Sequence, residues 1–303
     1  MNRMSSPALF ETRYDRSACD IGIVHLGFGA FHRAHQALYV DDYMDQTGDL
    51  RWGIAAVNLR AAESHNFAQL NEASHGYVLK SMSSCGDVNF RRVRSHVKFS
   101  DWADDAEQAE ALVASPSVHM VTITVTESGY YMSETGALNP EDPRIVAELD
   151  GGAPRTVYAY LTRALARRKA AGLGGISILC CDNIRRNGKM LQSNLFAYLD
   201  LIGAGDLGEW VRNCVTFPCS MVDRITPRST KALQSEVDAL FGPGPFSPVM
   251  AEDFTQWVVD DHFAAARPDL TKVGVTFTKN VDPYEEAKIR ILNGGHTCLA
   301  YLG

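Results

Sequence analysis

Apolar residues in this chain fall into short runs that alternate with longer stretches of helical periodicity. The first run, IGIVHL at 21–26, lacks any polar alternation, which predicts a strand buried on both faces. A glycine turn follows, then a helix over about 33–46 and a second strand at 52–58. Residues 77–81 and 88–97 read as antiparallel additions, 101–114 as a helix, and the β-branched run 119–125 as another strand. A long basic helix at 154–171, a strand at 175–180, helices at 187–201, 206–211 and 230–240, and strands at 257–259 and 273–277 complete the alternation. From Pro283 the pattern turns helical again, with proline where a first helical turn tolerates it. Strands alternating with helices predict a mostly parallel sheet covered on both faces, with inserted hairpins, in an α/β fold. Such sheets bind ligands beyond the carboxyl ends of their strands.

Composition narrows the partners. The chain has 303 residues, enough for one large or two ordinary domains. Its net charge of −7 argues against nucleic acid or a membrane surface, either of which favours a basic face. No apolar run reaches the roughly 18 residues of a membrane span, and residues 1–14 contain no leader-like apolar stretch, so a cytoplasmic location is expected. Seven cysteines, an odd number in a large chain, argue against a disulfide framework. Without CxxC or HExxH spacing, a metal-independent chemistry is expected, with Cys180 and Cys181 as buried strand residues.

The first strand runs into Gly27-Phe28-Gly29-Ala30-Phe31-His32-Arg33. Two glycines fit the dinucleotide pattern, one for the tight turn and one for close approach to a pyrophosphate, although His32 stands at the third glycine position. Phe31, His32 and Arg33 then become candidate cofactor contacts. For His32 and His35 the alternative is simple packing at a helix start. An acid that binds ribose is expected near the end of the second strand, and Glu63 is the nearest. Arg60 beside it could meet a 2′-phosphate, so NAD is expected with NADP left open; either side chain could equally be a solvated charge.

The last stretch reads PYEEAKIRILNGGH, 283–296. At about 100° per helical residue, with Lys288 at zero, Glu285 falls near 60°, His296 near 80° and Asn293 near 140°. One face then carries an acid, an amine, an amide and an imidazole, which is either a site or a solvated face. Tyr284-x-x-x-Lys288 imitates the pair of short-chain dehydrogenases, but the TGxxxGxG start of those enzymes is absent.

The segments HLGFGAFHRAHQALY (25–39), TVTESGYY (124–131), CDNIRRNG (181–188), FPCSMVDRITPR (217–228), QWVVDDHF (256–263) and PYEEAKIRILNGGH (283–296) resemble the long-chain mannitol dehydrogenase family of polyol and hexuronate oxidoreductases. The resemblance implies a Rossmann-like dinucleotide-binding domain over 1–282, followed at 283–303 by the first helix of a truncated helical C-terminal substrate domain. It implies Lys288 as general base, Asn293, His296 and Asn183 as its polar partners, Gly27 and Gly29 at the phosphates, and Met221, Val222 and Asp223 near the nicotinamide. Only half of the family's acid pair is present, as Ala62-Glu63.

The expected reaction is oxidation of a polyol to its ketose, with hydride passing to NAD. Such a base must lose its proton near neutral pH, which burial and a cationic ring both favour. Glu285 is a candidate proton relay. Two alternatives stand beside this reading: a reductase of the fructuronate or tagaturonate type, and a fragment that binds cofactor without turnover. Exposure of Leu299, Tyr301 and Leu302 at the cut end would favour self-association.

Overall fold

The computed structural model describes residues 7–72 and 76–293. Its strands are β1 (Leu9–Glu11), β2 (Ile21–Leu26), β3 (Gly53–Asn58), β4 (Tyr77–Met82), β5 (Val88–Val93), β6 (His96–Asp101), β7 (Met120–Ile123), β8 (Ile176–Cys180), β9 (Val215–Thr216), β10 (Ser220–Asp223), β11 (Val249–Glu252), β12 (Gln256–Asp260) and β13 (Thr276–Thr278). Six of them form an all-parallel sheet in the order β6-β3-β2-β7-β8-β9. The strand order reverses between β2 and β7, so the crevice for a ligand opens at the carboxyl ends of these two strands. The fold is thus the α/β arrangement that the strand–helix alternation predicts, in the Rossmann-like form that the resemblance implies.

Both faces of this sheet are covered, which is why its strands read as unbroken apolar runs. Val24, Leu26, Val121, Ile123, Ile178 and Cys180 pack on one side with the helices Val157–Ala170 and Asn187–Leu201. Ile23, Ile54, Met120, Leu179 and Cys181 face the other, toward Val40 and Met44 of the helix Gln36–Thr47. Period two therefore sends the vicinal Cys180 and Cys181 to opposite faces, both fully buried. The helix Val157–Ala170 starts at Thr156, whose side chain accepts from the Ala159 amide at 3.1 Å, and ends on Arg167, Arg168 and Lys169, which complement the dipole.

The structure corrects three element readings. Residues 88–97 are not one strand. Buried Ser95 donates to the Ala37 carbonyl at 2.8 Å, and the Arg94 amide donates to Asp41 at 2.9 Å. These bonds turn the chain out of β5, which pairs antiparallel with β4, into β6, which joins the main sheet beside β3. Because β6 runs to Asp101, the helix read at 101–114 is confined to Ala106–Ala111. Likewise the helix after the glycine turn is two helices, Ala30–Ala34 and Gln36–Thr47, broken at His35.

Two smaller sheets flank the main one. The order β1-β5-β4-β11 packs under the helix Lys231–Phe241 through Val78, Phe90, Leu233 and Val237. The order β10-β12-β13 carries Trp257 and Val259 into the second face of the core. No described helix is long and apolar enough to cross a membrane. His296, Leu299, Tyr301 and Leu302 lie outside the described residues, so the self-association expected of that end falls there too.

Candidate active site

Three loops meet at the carboxyl ends of β2, β7 and β8. The first is the glycine turn. Gly27 donates its amide to the Val57 carbonyl at 3.0 Å and sits at φ +90°, a left-handed region that disfavours any side chain. A Cβ there would lie 2.2 Å from the Thr124 carbonyl oxygen, so the segment just after β7 also excludes one. At Gly29, in contrast, a Cβ would meet nothing within 4 Å. The turn is tight on its protein side and open on the other, as a cradle for an approaching ligand must be. Gly27→Ala is expected to destabilise the fold by about 3 kcal/mol, combining left-handed strain with a backbone clash; urea unfolding measures it, and a change under 1 kcal/mol would mean the turn relaxes freely.

The residues after the turn face inward. His32 is fully buried, stacked on His25 with ring centroids 3.3 Å apart, and its Nε2 lies 2.9 Å from His96 Nε2. The Arg33 guanidinium is buried over the Phe28 and Tyr77 rings and donates to the Ser247 carbonyl at 2.9 Å. The expectation that these two side chains reach a cofactor is corrected: packing and hydrogen bonding commit both to the interior. His35 is likewise structural, 2.9 Å from the Gln256 carbonyl, while half-buried Phe31 stacks on its ring at 5.0 Å.

Beyond β3, Asn58 accepts from the Arg60 amide at 3.1 Å and donates to Asp101 at 3.1 Å. This shapes a short turn, Ala61–Glu63, at the mouth of the sheet. Glu63 accepts from the Asn66 side chain at 3.1 Å, and Arg60 is exposed.

The lysine lies at the same end. Lys288 is only 9% exposed, yet its Nζ reaches three oxygen atoms: Asn183 Oδ1 at 3.1 Å, the Val222 carbonyl, and Asp223 Oδ1 at 3.2 Å. An ammonium has three protons, so these acceptors satisfy it completely. The sequence-predicted Lys288, Asn183, Val222 and Asp223 therefore converge, with Val222 and Asp223 brought in by β10. Buried Glu285 accepts from the Arg186 amide at 3.1 Å, and burial raises its carboxyl above the usual range. Arg186 itself is held at φ +50° by that bond and by its ion pair to Asp282 at 3.0 Å.

One geometric expectation is corrected. The helix Asp282–Ala287 gives way to a π-helix over Lys288–Asn293. Its wider turn pairs i with i+5, so the angles reckoned at 100° per residue do not hold beyond Lys288. The side chain of Asn293 lies, like His296, outside what the structure describes.

Sequence reasoning passed over the clamp that sets Asn183. Asp182 accepts from the Val125 amide at 2.9 Å, the Thr126 amide at 3.2 Å and the Tyr130 hydroxyl at 2.7 Å. It ties the loop after β7 to the loop after β8 and holds Thr126 at φ +65°. The signal was available: an acid beside Asn183 in CDN, and TESGYY after a strand, were both read as resemblance and not as partners. Among the described residues no cluster of His, Cys, Asp and Glu could hold a metal ion.

Comparison with known proteins agrees with this fold. Residues 21–272 match the family described as mannitol dehydrogenase Rossmann domain. D-arabinitol 4-dehydrogenase of Klebsiella pneumoniae is 38% identical over 280 residues, covering 92% of this chain and 61% of that protein. Mannitol 2-dehydrogenase of Cereibacter sphaeroides is 40% identical over 290 residues, covering 95% and 60%. Pseudomonas fluorescens mannitol 2-dehydrogenase, solved as a ternary complex with NAD and D-mannitol, superposes with a TM-score of 0.90 at 36% identity, covering 98% of this chain and 61% of that one. The chain thus spans about 60% of the length of these relatives. With two thirds or more of its own length matched in fold and in sequence, the chain belongs to the mannitol dehydrogenase family.

Proposed function

We propose that this chain carries the cofactor domain and catalytic lysine of an NAD-dependent, metal-independent polyol dehydrogenase that oxidises a D-arabinitol- or D-mannitol-class substrate to the ketose. The observation that carries the reading is the buried Lys288 ammonium held between Asn183, Val222 and Asp223 beside the sheet's ligand crevice. Residues 1–282 form the cofactor part, and the lysine helix from 283 opens the substrate part.

The glycine turn fits the cofactor: Gly29 leaves open space where a pyrophosphate would approach, and Glu63 stands after β3 where a ribose hydroxyl would lie. A carboxylate there disfavours a 2′-phosphate, so NAD is preferred over NADP. When bound, the nicotinamide supplies the hydride acceptor. The protein manages the proton. Because Asn183 Oδ1 accepts from Lys288, its amide N–H groups are left to donate to the substrate oxygen and to stabilise alkoxide character there. Lys288 Nζ first gives one proton to solvent and then, as the neutral amine, takes the hydroxyl proton; Asp223, half-buried, is the partner that the substrate hydroxyl displaces. Glu285, one turn earlier on the same helix and with its carboxyl raised by burial, relays the proton to solvent.

The test is a panel of D-arabinitol, D-mannitol and D-fructuronate with NAD(H) and NADP(H), followed by absorbance of the reduced cofactor. NADH formation with a polyol is expected. Binding of NADH without any substrate-dependent turnover would overturn the enzymatic reading for this chain, and turnover of the uronate alone would overturn the polyol class.

A further inference from the structure

A second cavity lies at the opposite edge of the main sheet from the lysine. Its walls come from β5, from β6 and from the segment around Arg16, and Asn71 borders it. Four strand spacings separate β6 from β8, the strand that leads to Asn183, or about 19 Å. The two sites share no lining residue.

The cavity has a volume of about 850 Å³, in the range of small-molecule sites. Arg16, Arg92, Arg94 and Lys98 line it against a single carboxylate among the described residues, Glu11. Among the described lining residues, four cations and one acid make a local charge of +3 in a chain whose net charge is −7. Such a concentration is costly unless it has a use, since like charges repel across a low-dielectric wall.

The arginines are held in place. Arg16 Nε donates to the His96 carbonyl at 2.9 Å, Arg92 Nε to Glu11 at 2.5 Å, and Arg94 to the Thr12 and Tyr14 carbonyls. Each guanidinium has five N–H donors, so these bonds fix its plane and leave donors over. Lys98 adds a mobile point charge.

The floor is different. Phe99 and Arg16 lead into a narrow throat between Phe28, Tyr77 and His96 with room for about one water, about 10 Å³. There the buried His96 Nδ1 has no partner among the described residues. A basic mouth, an aromatic wall and an unpaired imidazole nitrogen at the base form a built site.

We propose that this cleft binds a phosphate ester of sugar size, with the phosphate at Arg92, Arg94 and Lys98 and the organic body against Phe99. A bare phosphate would leave most of the volume empty, so the ester is the better ligand. Binding is independent of the chemistry at Lys288.

Calorimetric titration of the protein saturated with NADH tests this, because NADH occupies the glycine turn and removes it as a competing phosphate site. Glucose 6-phosphate and inorganic phosphate are the probes, at constant ionic strength. Saturable binding of the ester, at least about fivefold tighter than inorganic phosphate, is expected, with about a tenfold loss in Lys98→Glu. Asn71→Asp, an exposed substitution that places a second carboxylate at the cleft, should weaken it in the same direction. No saturable heat up to about 10 mM, equal affinity for the two probes, or unchanged binding in both variants would overturn the proposal.

Discussion

Lys288→Ala is expected to lower polyol-dependent NADH formation by about 10²- to 10⁴-fold, the usual worth of a positioned acid–base group. NADH affinity should change by less than about threefold, because the glycine turn and the β3 turn lie on other elements. The direction follows from what the amine touches. Removing it strips Asn183 of its donor and leaves Asp223 without its cation. The amide then turns freely, and its N–H groups no longer face one point. Lys288→Arg should fail almost as badly, since a guanidinium stays protonated at any working pH and cannot take a proton from a hydroxyl. Lys288→Met preserves most of the volume and separates packing from chemistry. If the methionine variant kept turnover within about tenfold of the parent, the base assignment would be wrong, whatever the alanine variant did.

Much of this arrangement could be read from residue order. The unbroken apolar runs at β2, β7 and β8 mark a doubly covered parallel sheet, and the glycine turn follows the first of them because the switch point requires a tight exit. The meeting of Asn183 with Lys288 was available only through resemblance, since 105 positions separate them in the chain. Two kinds of error have physical causes. His32 and Arg33 looked like ligand contacts because they are polar and stand at a helix start, but composition cannot show that His25, His96, Phe28 and Tyr77 would close over them. The strand at 88–97 looked continuous because periodicity does not register a buried serine that bends the backbone to satisfy a helix carbonyl. The π-helix is of the same kind: the sequence pattern from Pro283 on fits an α-helix, and nothing in that pattern marks the wider turn that starts at Lys288.

The histidines make the chain sensitive to acid. His25, His32, His35 and His96 are all buried, and burial holds three of them well below the ordinary imidazole range and pushes His35 down to about 3. The stacked His25 and His32 and the His32–His96 contact add mutual repulsion once two of these rings are charged. In the unfolded chain each titrates near 6.5. The folded state therefore binds fewer protons below that pH, and stability falls as pH drops from about 7 toward the folded values. Each neutral imidazole costs about 2 kcal/mol between pH 7 and pH 5, so the four together remove up to about 8 kcal/mol, a large share of the 5–15 kcal/mol that holds a domain. Asp41, Asp182 and Glu285 oppose this: burial raises their carboxyl groups, so they gain stability as pH falls. Their gain offsets part of the histidine loss. Urea midpoints at pH 7, 6 and 5 should drop steeply, with three to four protons taken up on unfolding at pH 5. His96→Phe, which suits the nest of Phe28, Phe99 and Tyr77, should lower that uptake by about one proton. An uptake near one proton in the parent protein would mean that the buried imidazoles are already charged or reach water, and the tight packing beneath the glycine turn would have to be abandoned.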